Sequence, residues 1–237
     1  ATPRRDGRSP GELRPTRFAW DPMGFALSSV TVHTGRTAVI CSVCLEEGVP
    51  KWRQGSGKGW LSADYRLLPA STPSRQPREL MKLSGRTQEI QRLISRSLRA
   101  CLDLEALGER TLQIDCDVLQ ADAGTRTAAI TGASLAVELA GRWLVEQGKI
   151  KELPVKNRVA AVSVGIVAGE VLVDLDYLED KDAEVDMNVV MTDKLDYVEV
   201  QGSGEESVFS ASQLEQLTSA AKSGIEQLLD IQKSALG

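Results

Sequence analysis

At 237 residues the chain can bury a sizeable core, as one large domain or as two small halves fused into one body. Its 42% hydrophobic and 26% charged residues exclude a disordered or fibrous protein, and 4% aromatics exclude a broad base-stacking platform as the main grip on nucleic acid. A net charge of -5 argues against a nucleic-acid partner until its distribution is read. Between Arg66 and Arg99 the charges are mostly arginine, opposed only by Glu79 and Glu89, whereas acids dominate from Asp174 onward.

Residues 1–15, rich in Arg, Pro and Gly, read as extended and lack the apolar core of a signal peptide. Alternating segments at 26–33 and 37–45 flank Gly35 and predict a β-hairpin. Gly55-Ser-Gly-Lys-Gly59 is a loop with neither Walker A nor Rossmann spacing. A strand is predicted over 60–67 and a Pro/Ser/Arg loop over 68–78. From 85 to 102 a helix carries Ile90, Leu93, Ile94, Leu98, Cys101 and Leu102 on one face, with Arg92, Arg96 and Arg99 opposite. Arg86 falls at the edge of the apolar face, where an arginine either snorkels or serves a semi-buried anion site.

A strand over 111–119 and a turn at 120–124 lead to a helix over 125–146. That helix has no charge between Thr127 and Val137 and is apolar or small all round, which predicts burial. The polar connector 149–156, with Pro154, divides the body into halves over 10–147 and 157–237. The second half predicts strands over 159–167, 170–176, 185–192 and 197–201, then a C-terminal helix with Ser212-Gln-Leu-Glu215 as its capping box. Strands followed by helix, twice over, make an α+β architecture of two related layers. No apolar run reads as long enough to cross a membrane, and the cysteines read as reduced thiols of a cytoplasmic protein. Cys41-Ser-Val-Cys44 has half a zinc-site spacing. On a strand, however, residues three apart face opposite ways, so core packing is the better reading. The single histidine, His33, has no Ser or Cys partner for a hydrolase triad.

Three places break local rules. Ala123-Gly-Thr-Arg126 opens the buried helix, where free amides, a permissive Gly124, the Thr125 hydroxyl and the Arg126 fork suit an anion. A plain helix start capped by Asp122 or Thr125 is the alternative. Arg86 is the second place, and an anion held between it and the Thr125 amides would account for both. The third is Leu178–Asn188. Asp180 and Asp186 would lie ~20 Å apart on one extended strand, and can meet only if the chain folds back, with Lys181-Asp182-Ala183 as the turn. Paired carboxylates could then bind a divalent cation or share a proton, and a solvated acidic turn is the alternative.

These residues bring the chain to a resemblance. Arg5-Asp-Gly-Arg8, Glu46-Glu-Gly-Val-Pro50, Gly59-Trp60, Ser84-Gly-Arg-Thr-Gln-Glu-Ile-Gln91, Gln120-Ala-Asp-Ala-Gly-Thr-Arg-Thr127, Glu179-Asp180 and Glu184-Val-Asp-Met-Asn-Val-Val-Met-Thr192 resemble the motifs of the ribonuclease PH family, in the family's order, over nearly the whole chain. The resemblance implies a ribosomal-S5-domain-2-like βαβ core, the RNase PH fold, in a homo-oligomer, by family a hexameric ring. It implies phosphorolysis, in which inorganic phosphate attacks the 3′-terminal phosphodiester of RNA, tRNA precursors above all, and releases a nucleoside diphosphate. Arg86, Gly124, Thr125 and Arg126 match the family's phosphate-binding positions. Asp180 and Asp186 match its catalytic and metal-linked acids, with Mg²⁺ as the ion, and Arg75 and Arg78 match its RNA-binding basic loop. The chain departs from the pattern at Ala123, where a glycine is usual, at Ala70, where an arginine usually follows the proline, and in a shortened stretch before Ser84. A catalytically silent RNA-binding ring subunit of the same fold is the rival reading. A two-metal hydrolytic nuclease is a further one, but it gives the Thr125-Arg126 anion site no role.

Overall fold

In the computed structural model, residues 4–205 and 207–237 are described. The first half begins with three antiparallel strands, β1 (Thr16–Trp20), β2 (Ser28–Thr34) and β3 (Thr37–Glu47). β4 (Trp60–Leu67) then crosses through helix α1 (Gly85–Arg99) and the single turn α2 (Leu104–Leu107) to the parallel strand β5 (Arg110–Gln120), which inserts beside β3. The sheet order is β1-β2-β3-β5-β4. Helix α3 (Thr125–Glu146) covers its inner face. In the second half, β6 (Val159–Val167), β7 (Glu170–Val173), β8 (Val185–Thr192) and β9 (Tyr197–Gly204) form an antiparallel sheet in the order β7-β6-β8-β9. The short helix α4 (Tyr177–Asp182) joins β7 to β8, and α5 (Ala211–Leu236) closes the chain. The α+β reading holds.

Alternation decides which side chains enter the core. On β3, Val39, Cys41 and Val43 face inward with Leu61, Ala63 and Tyr65 of β4 and Leu112, Ile114 and Cys116 of β5. Cys44 points out, so the two cysteines lie on opposite faces, and the Cys41 sulfur instead lies 3.9 Å from that of Cys116. The apolar face of α1 is buried as its spacing predicts.

α3 is apolar all round because it has a sheet on either side. Gly132 lets it press against β2 and β3, since a Cβ there would come 2.8 Å from Val32 and 3.1 Å from the Cys41 sulfur. On its other side Thr131 and Ser134 meet the first turns of β6, where β7 does not reach. The Ala161 amide donates to Thr131 Oγ1 (3.0 Å) and the Val159 amide to Ser134 Oγ (3.0 Å). Gln232 of α5 donates to the Thr131 and Val159 carbonyls (3.0 and 2.9 Å). Backbone groups that a strand would have paired are thus satisfied by side chains. β6 alternates between layers, with Val159 and Ala161 in the α3 core and Ala160, Val162 and Val164 in the α5 core.

Several expectations need correction. α3 is by length and composition long enough to cross a bilayer, contrary to the reading that no run is, yet 78% of its apolar window is buried within the protein. Strand β1 escaped the sequence reading. Lys181-Asp182-Ala183 is no simple turn, because Asp176 caps a helix there through a capping box with Glu179. The C-terminal box is Ser210-Ala-Ser-Gln213, two residues earlier than predicted, and it meets the same spacing rule. The N-terminal stretch, of which residues 1–3 lie outside the described residues, turns at Gly7 and buries Arg4, Arg8 and Arg14 against the second half.

Candidate active site

The site grows from the turn before α3. Ala123 and Gly124 both adopt left-handed backbone (φ 55° and 64°), so the chain enters the helix steeply. The unusual Ala123 therefore carries a strain of ~1 kcal/mol that glycine would not. Thr37 braces this turn, its Oγ1 donating to the Ala123 carbonyl (2.6 Å) and accepting from the Asp122 amide (3.0 Å). No side chain caps α3, so neither Asp122 nor Thr125 fills the capping role weighed above. Among the described residues the amides of Thr125, Arg126 and Thr127 have no partner, which leaves the positive end of the helix open to an anion. A Cβ at Gly124 would meet Arg14 Nη2 at 2.9 Å, so only glycine fits. The buried Thr125 hydroxyl turns inward to Tyr65 Oη (2.8 Å), and what this residue presents to the cleft is its amide.

Arg14 reaches this turn because it is clamped. Its Nε and Nη2 donate to the Asp174 carboxylate (3.1 and 2.8 Å) and its Nη1 donates to the Asp122 carbonyl (2.5 Å). Arg4 forks onto Glu179 (2.7 and 2.5 Å), whose carboxyl is lowered on balance: burial raises it, and Arg4 and Arg8 more than offset that. The N-terminal strap therefore ties α4 and β7 to the α3 turn through fully buried, paired charges. Spacing cannot reveal such pairs, since their partners lie 160 and more residues apart.

Arg126 points along the seam between α1 and β9. Its Nη1 donates to both Glu89 carboxylate oxygens (3.1 Å each) and to Gln201 Oε1 (3.2 Å), while Gln201 Nε2 donates to Glu89 (2.9 Å). Glu89 and Gln201 carried no sequence signal beyond Glu89's place in the Ser84–Gln91 motif. Arg86, read as either snorkelling or serving a semi-buried anion site, is exposed in the first turn of α1 and makes no hydrogen bond among the described residues. Ser84 caps that helix, its hydroxyl accepting from the Thr87 amide (3.2 Å).

Asp180 on α4 and Asp186 on β8 come close enough that the charge of Asp180 acts on Asp186 and that of Arg126 acts on both. Asp180 is exposed at the surface, with protein packed around it. Burial lifts its carboxyl above the usual range against the pull of Arg126, Arg86 and Arg14. Asp186 is pushed up to about 6, first by burial and then by the charge of Asp180, with Arg126 opposing. Arg126 thus acts on both acids, and Arg86 on Asp180. Asp186 Oδ1 is buried with no hydrogen-bond partner among the described residues. Arg75 and Arg78 are exposed in the coil between β4 and α1, apart from this cluster in sequence, and the charge of Arg78 reaches Asp117. His33 stays on β2 between Arg17 and Ala38 and joins no catalytic group.

A helix start with unpartnered amides, an arginine in its first turn and two acids whose carboxyls are raised together are parts that suit a phosphoryl-transfer enzyme. Comparison with known proteins narrows the class. Residues 12–142 match the 3′ exoribonuclease family, domain 1, and residues 157–224 match its domain 2. The chain belongs to the 3′ exoribonuclease family. It is 64% identical to the ribonuclease PH of Synechococcus sp. (strain CC9605), over 98% of this chain and 94% of that protein. To the ribonuclease PH of Acaryochloris marina it is 55% identical, over 98% of each. Among solved structures, the Archaeoglobus fulgidus exosome with RNA bound to the active site aligns with TM-score 0.84 at 21% identity, over 97% of this chain and 92% of that one. Rice (Oryza sativa) Rrp46 aligns with TM-score 0.81 at 19% identity, over 99% and 100%. These two establish the shared fold.

Proposed function

We infer that the chain is a phosphate-dependent 3′→5′ exoribonuclease that removes 3′-terminal nucleotides from RNA, tRNA precursors among them, as nucleoside diphosphates. The observation that carries this reading is the uncapped start of α3, with Arg126 in its first turn and Asp180 and Asp186 within reach of the Arg126 charge. Full-length similarity to ribonuclease PH proteins supports it. No observation favours a silent ring subunit, since Arg86, Arg126 and both acids are present.

The chemistry follows from the parts. The α3 amides and Arg126 hold inorganic phosphate, and Arg86 closes over it from α1. An oxygen of hydrogen phosphate attacks the phosphorus of the last phosphodiester, and the bond from that phosphorus to the 3′-oxygen breaks. The proton of hydrogen phosphate ends on the released 3′-oxygen, leaving RNA one nucleotide shorter and a nucleoside 5′-diphosphate. Holding reactants in line and offsetting charge is most of the catalysis such a reaction needs.

Mg²⁺ suits the acids. Asp186 Oδ1 is a buried oxygen without a partner, and one or two carboxylates beside a phosphate are the donors Mg²⁺ takes. No third acid, His or Cys joins them among the described residues, so phosphate oxygens and water would complete the shell. Asp180 and Asp186 would hold the ion, which when bound supplies positive charge at the phosphates. The exposed Arg75 and Arg78 would take RNA or a neighbouring subunit. We take the chain to work in the cytoplasm as a homo-oligomer, a hexameric ring, in which residues 10–147 and 157–237 form one body. The almost fully exposed Phe25, Leu80 and Met81 are surfaces that an assembly would cover.

Arg126→Ala and Arg86→Ala test the site. Each should raise KM for phosphate tenfold or more, since a charge-assisted contact is worth ~1.5–3 kcal/mol, with RNA affinity little changed. An unaltered KM for phosphate in both variants would remove the assignment.

A further inference from the structure

The seam between α1 and β9 continues past the Arg126–Glu89–Gln201 knot. Two residues back along β9, Glu199 receives Arg96 of α1 (2.7 and 3.2 Å), and beyond this pair an open groove is lined by Arg53, Trp60, Arg99 and Val198. Trp60 is its centre. The Arg99 guanidinium lies over its ring at 4.3 Å and that of Arg53 at 5.0 Å, while Trp52 meets it edge-on at 4.8 Å. Arg99 Nη1 donates to the Leu61 carbonyl (2.9 Å) and Arg53 Nε to the Gly59 carbonyl (2.8 Å).

Both guanidiniums are therefore fixed by neutral groups, a ring face and a carbonyl, and their remaining N–H groups are unspent. This differs from Arg4, Arg14, Arg126 and Arg158, which meet the carboxylates of Glu179, Asp174, Glu89 and Glu138. In the groove three guanidiniums converge and a single carboxylate, Glu199, answers them, already held by Arg96. Burial and the charges of Arg96 and Arg53 together push the Arg99 pKa down, a repulsion that a bound anion would relieve.

We propose that this groove is a second RNA-binding site, where Arg53 and Arg99, held by Trp60, take backbone phosphates of the RNA upstream of its 3′ end. The proposal rests on the reading of the chain as an RNA phosphorolase. Thirteen residues of α1 separate Arg86 from Arg99, ~20 Å at ~1.5 Å per residue. At ~3.4 Å per stacked nucleotide, a strand whose end lies in the cleft reaches the groove after about six nucleotides. Exposed Arg92 and Arg96 line the helix between. Arg86, Arg92, Arg96 and Arg99 against Glu89 and Glu199 leave an excess of positive charge along this path, which favours RNA over the carboxylates of a second copy as the occupant. Planar forks preset on an aromatic face suit phosphate oxygens. Recognition would be blind to sequence, as suits an enzyme that shortens its substrate one nucleotide at a time.

The test compares a tetranucleotide, too short to span the distance, with an RNA of roughly twelve nucleotides, on wild type, on R53Q/R99Q and on R53Q, which leaves the Arg99–Trp60 stack in place. Wild type should bind the longer RNA more tightly. The double variant should weaken that binding about tenfold or more and R53Q in part, with phosphorolysis of the tetranucleotide unchanged. The plot of log affinity against log salt for the longer RNA should flatten by about 1.4, for two lost contacts at ~0.7 each. Equal affinity of all three proteins for the longer RNA would overturn the proposal. So would an altered sedimentation coefficient in R53Q/R99Q with RNA affinity per site intact, which would assign the groove to subunit contact. A wild type that forms no nucleoside diphosphate from either RNA would sink the phosphorolysis reading, while the binding comparison would still judge the groove.

Discussion

Asp186→Asn should stabilise the fold at neutral pH while abolishing turnover. The carboxyl of Asp186 ionises at about 6 in the folded protein against an ordinary 3.8, because burial and the Asp180 charge disfavour the anion. A folded-state pKa raised in this way makes the native state bind more protons than the unfolded chain between those two values, so native stability falls as pH rises through the interval. Below 3.8 both states are protonated and asparagine, a mimic of the neutral acid, gains nothing. Above 6 the wild type carries the whole cost. The interval from 3.8 to about 6, at ~1.36 kcal/mol per pH step, sets a ceiling of ~3 kcal/mol. Residual exposure and salt screening reduce the expectation to roughly 1–2 kcal/mol. Urea unfolding of both proteins at fixed concentration, in EDTA, at intervals from pH 4 to pH 8 measures the difference. It should grow from near zero to a plateau above pH 6–7, with phosphorolysis in Mg²⁺ lost throughout. A variant no more stable than wild type at pH 8, or one that still turns over, would refute the reasoning.

Three further substitutions probe the surrounding frame. Glu89→Gln removes the carboxylate that competes with phosphate for Arg126, so KM for phosphate should fall several-fold; a rise would mean that Glu89 orients Arg126 rather than occupying it. Asp174→Asn leaves the buried Arg14 without its counter-charge and should cost about 3–5 kcal/mol in denaturant unfolding, whereas a loss near zero would show that the strap does not hold the α3 turn. Ala123→Gly relieves a left-handed alanine and should add about 0.5–1 kcal/mol, less whatever the unfolded chain gains in freedom; a clear loss in melting experiments would contradict the strain assigned there.

Much of this molecule was legible from local pattern. α3 spans the residues predicted for it, its start marked by the Gly124 turn and its buried part by the uncharged stretch, and β4 and β8 match their alternating and apolar runs, because burial against a sheet imposes those periods. Strand β1 was missed because Thr-Arg-Phe-Ala-Trp is a short edge strand of five residues with a polar residue on each face, stabilised by β2 rather than by its own pattern. The approach of Asp180 to Asp186 was foreseen only as a condition; what fulfils it is Asp176, whose cap turns the chain into α4. Arg4, Arg8 and Arg14 looked like a polar tail, because pairing with Asp174 and Glu179 is set by the tertiary fold and leaves no spacing to read. The Thr125 hydroxyl looked free for an anion for a similar reason, since its partner Tyr65 lies on another strand.

The central claim is that the anion held at the start of α3 is itself the attacking group. Incubation of a 3′-extended RNA with the enzyme and isotopically labelled inorganic phosphate tests it most directly. The label should appear in the β-phosphate of released nucleoside 5′-diphosphates, and without phosphate no nucleotide should be released. Nucleoside monophosphates formed in phosphate-free buffer, or diphosphates without label, would contradict the account.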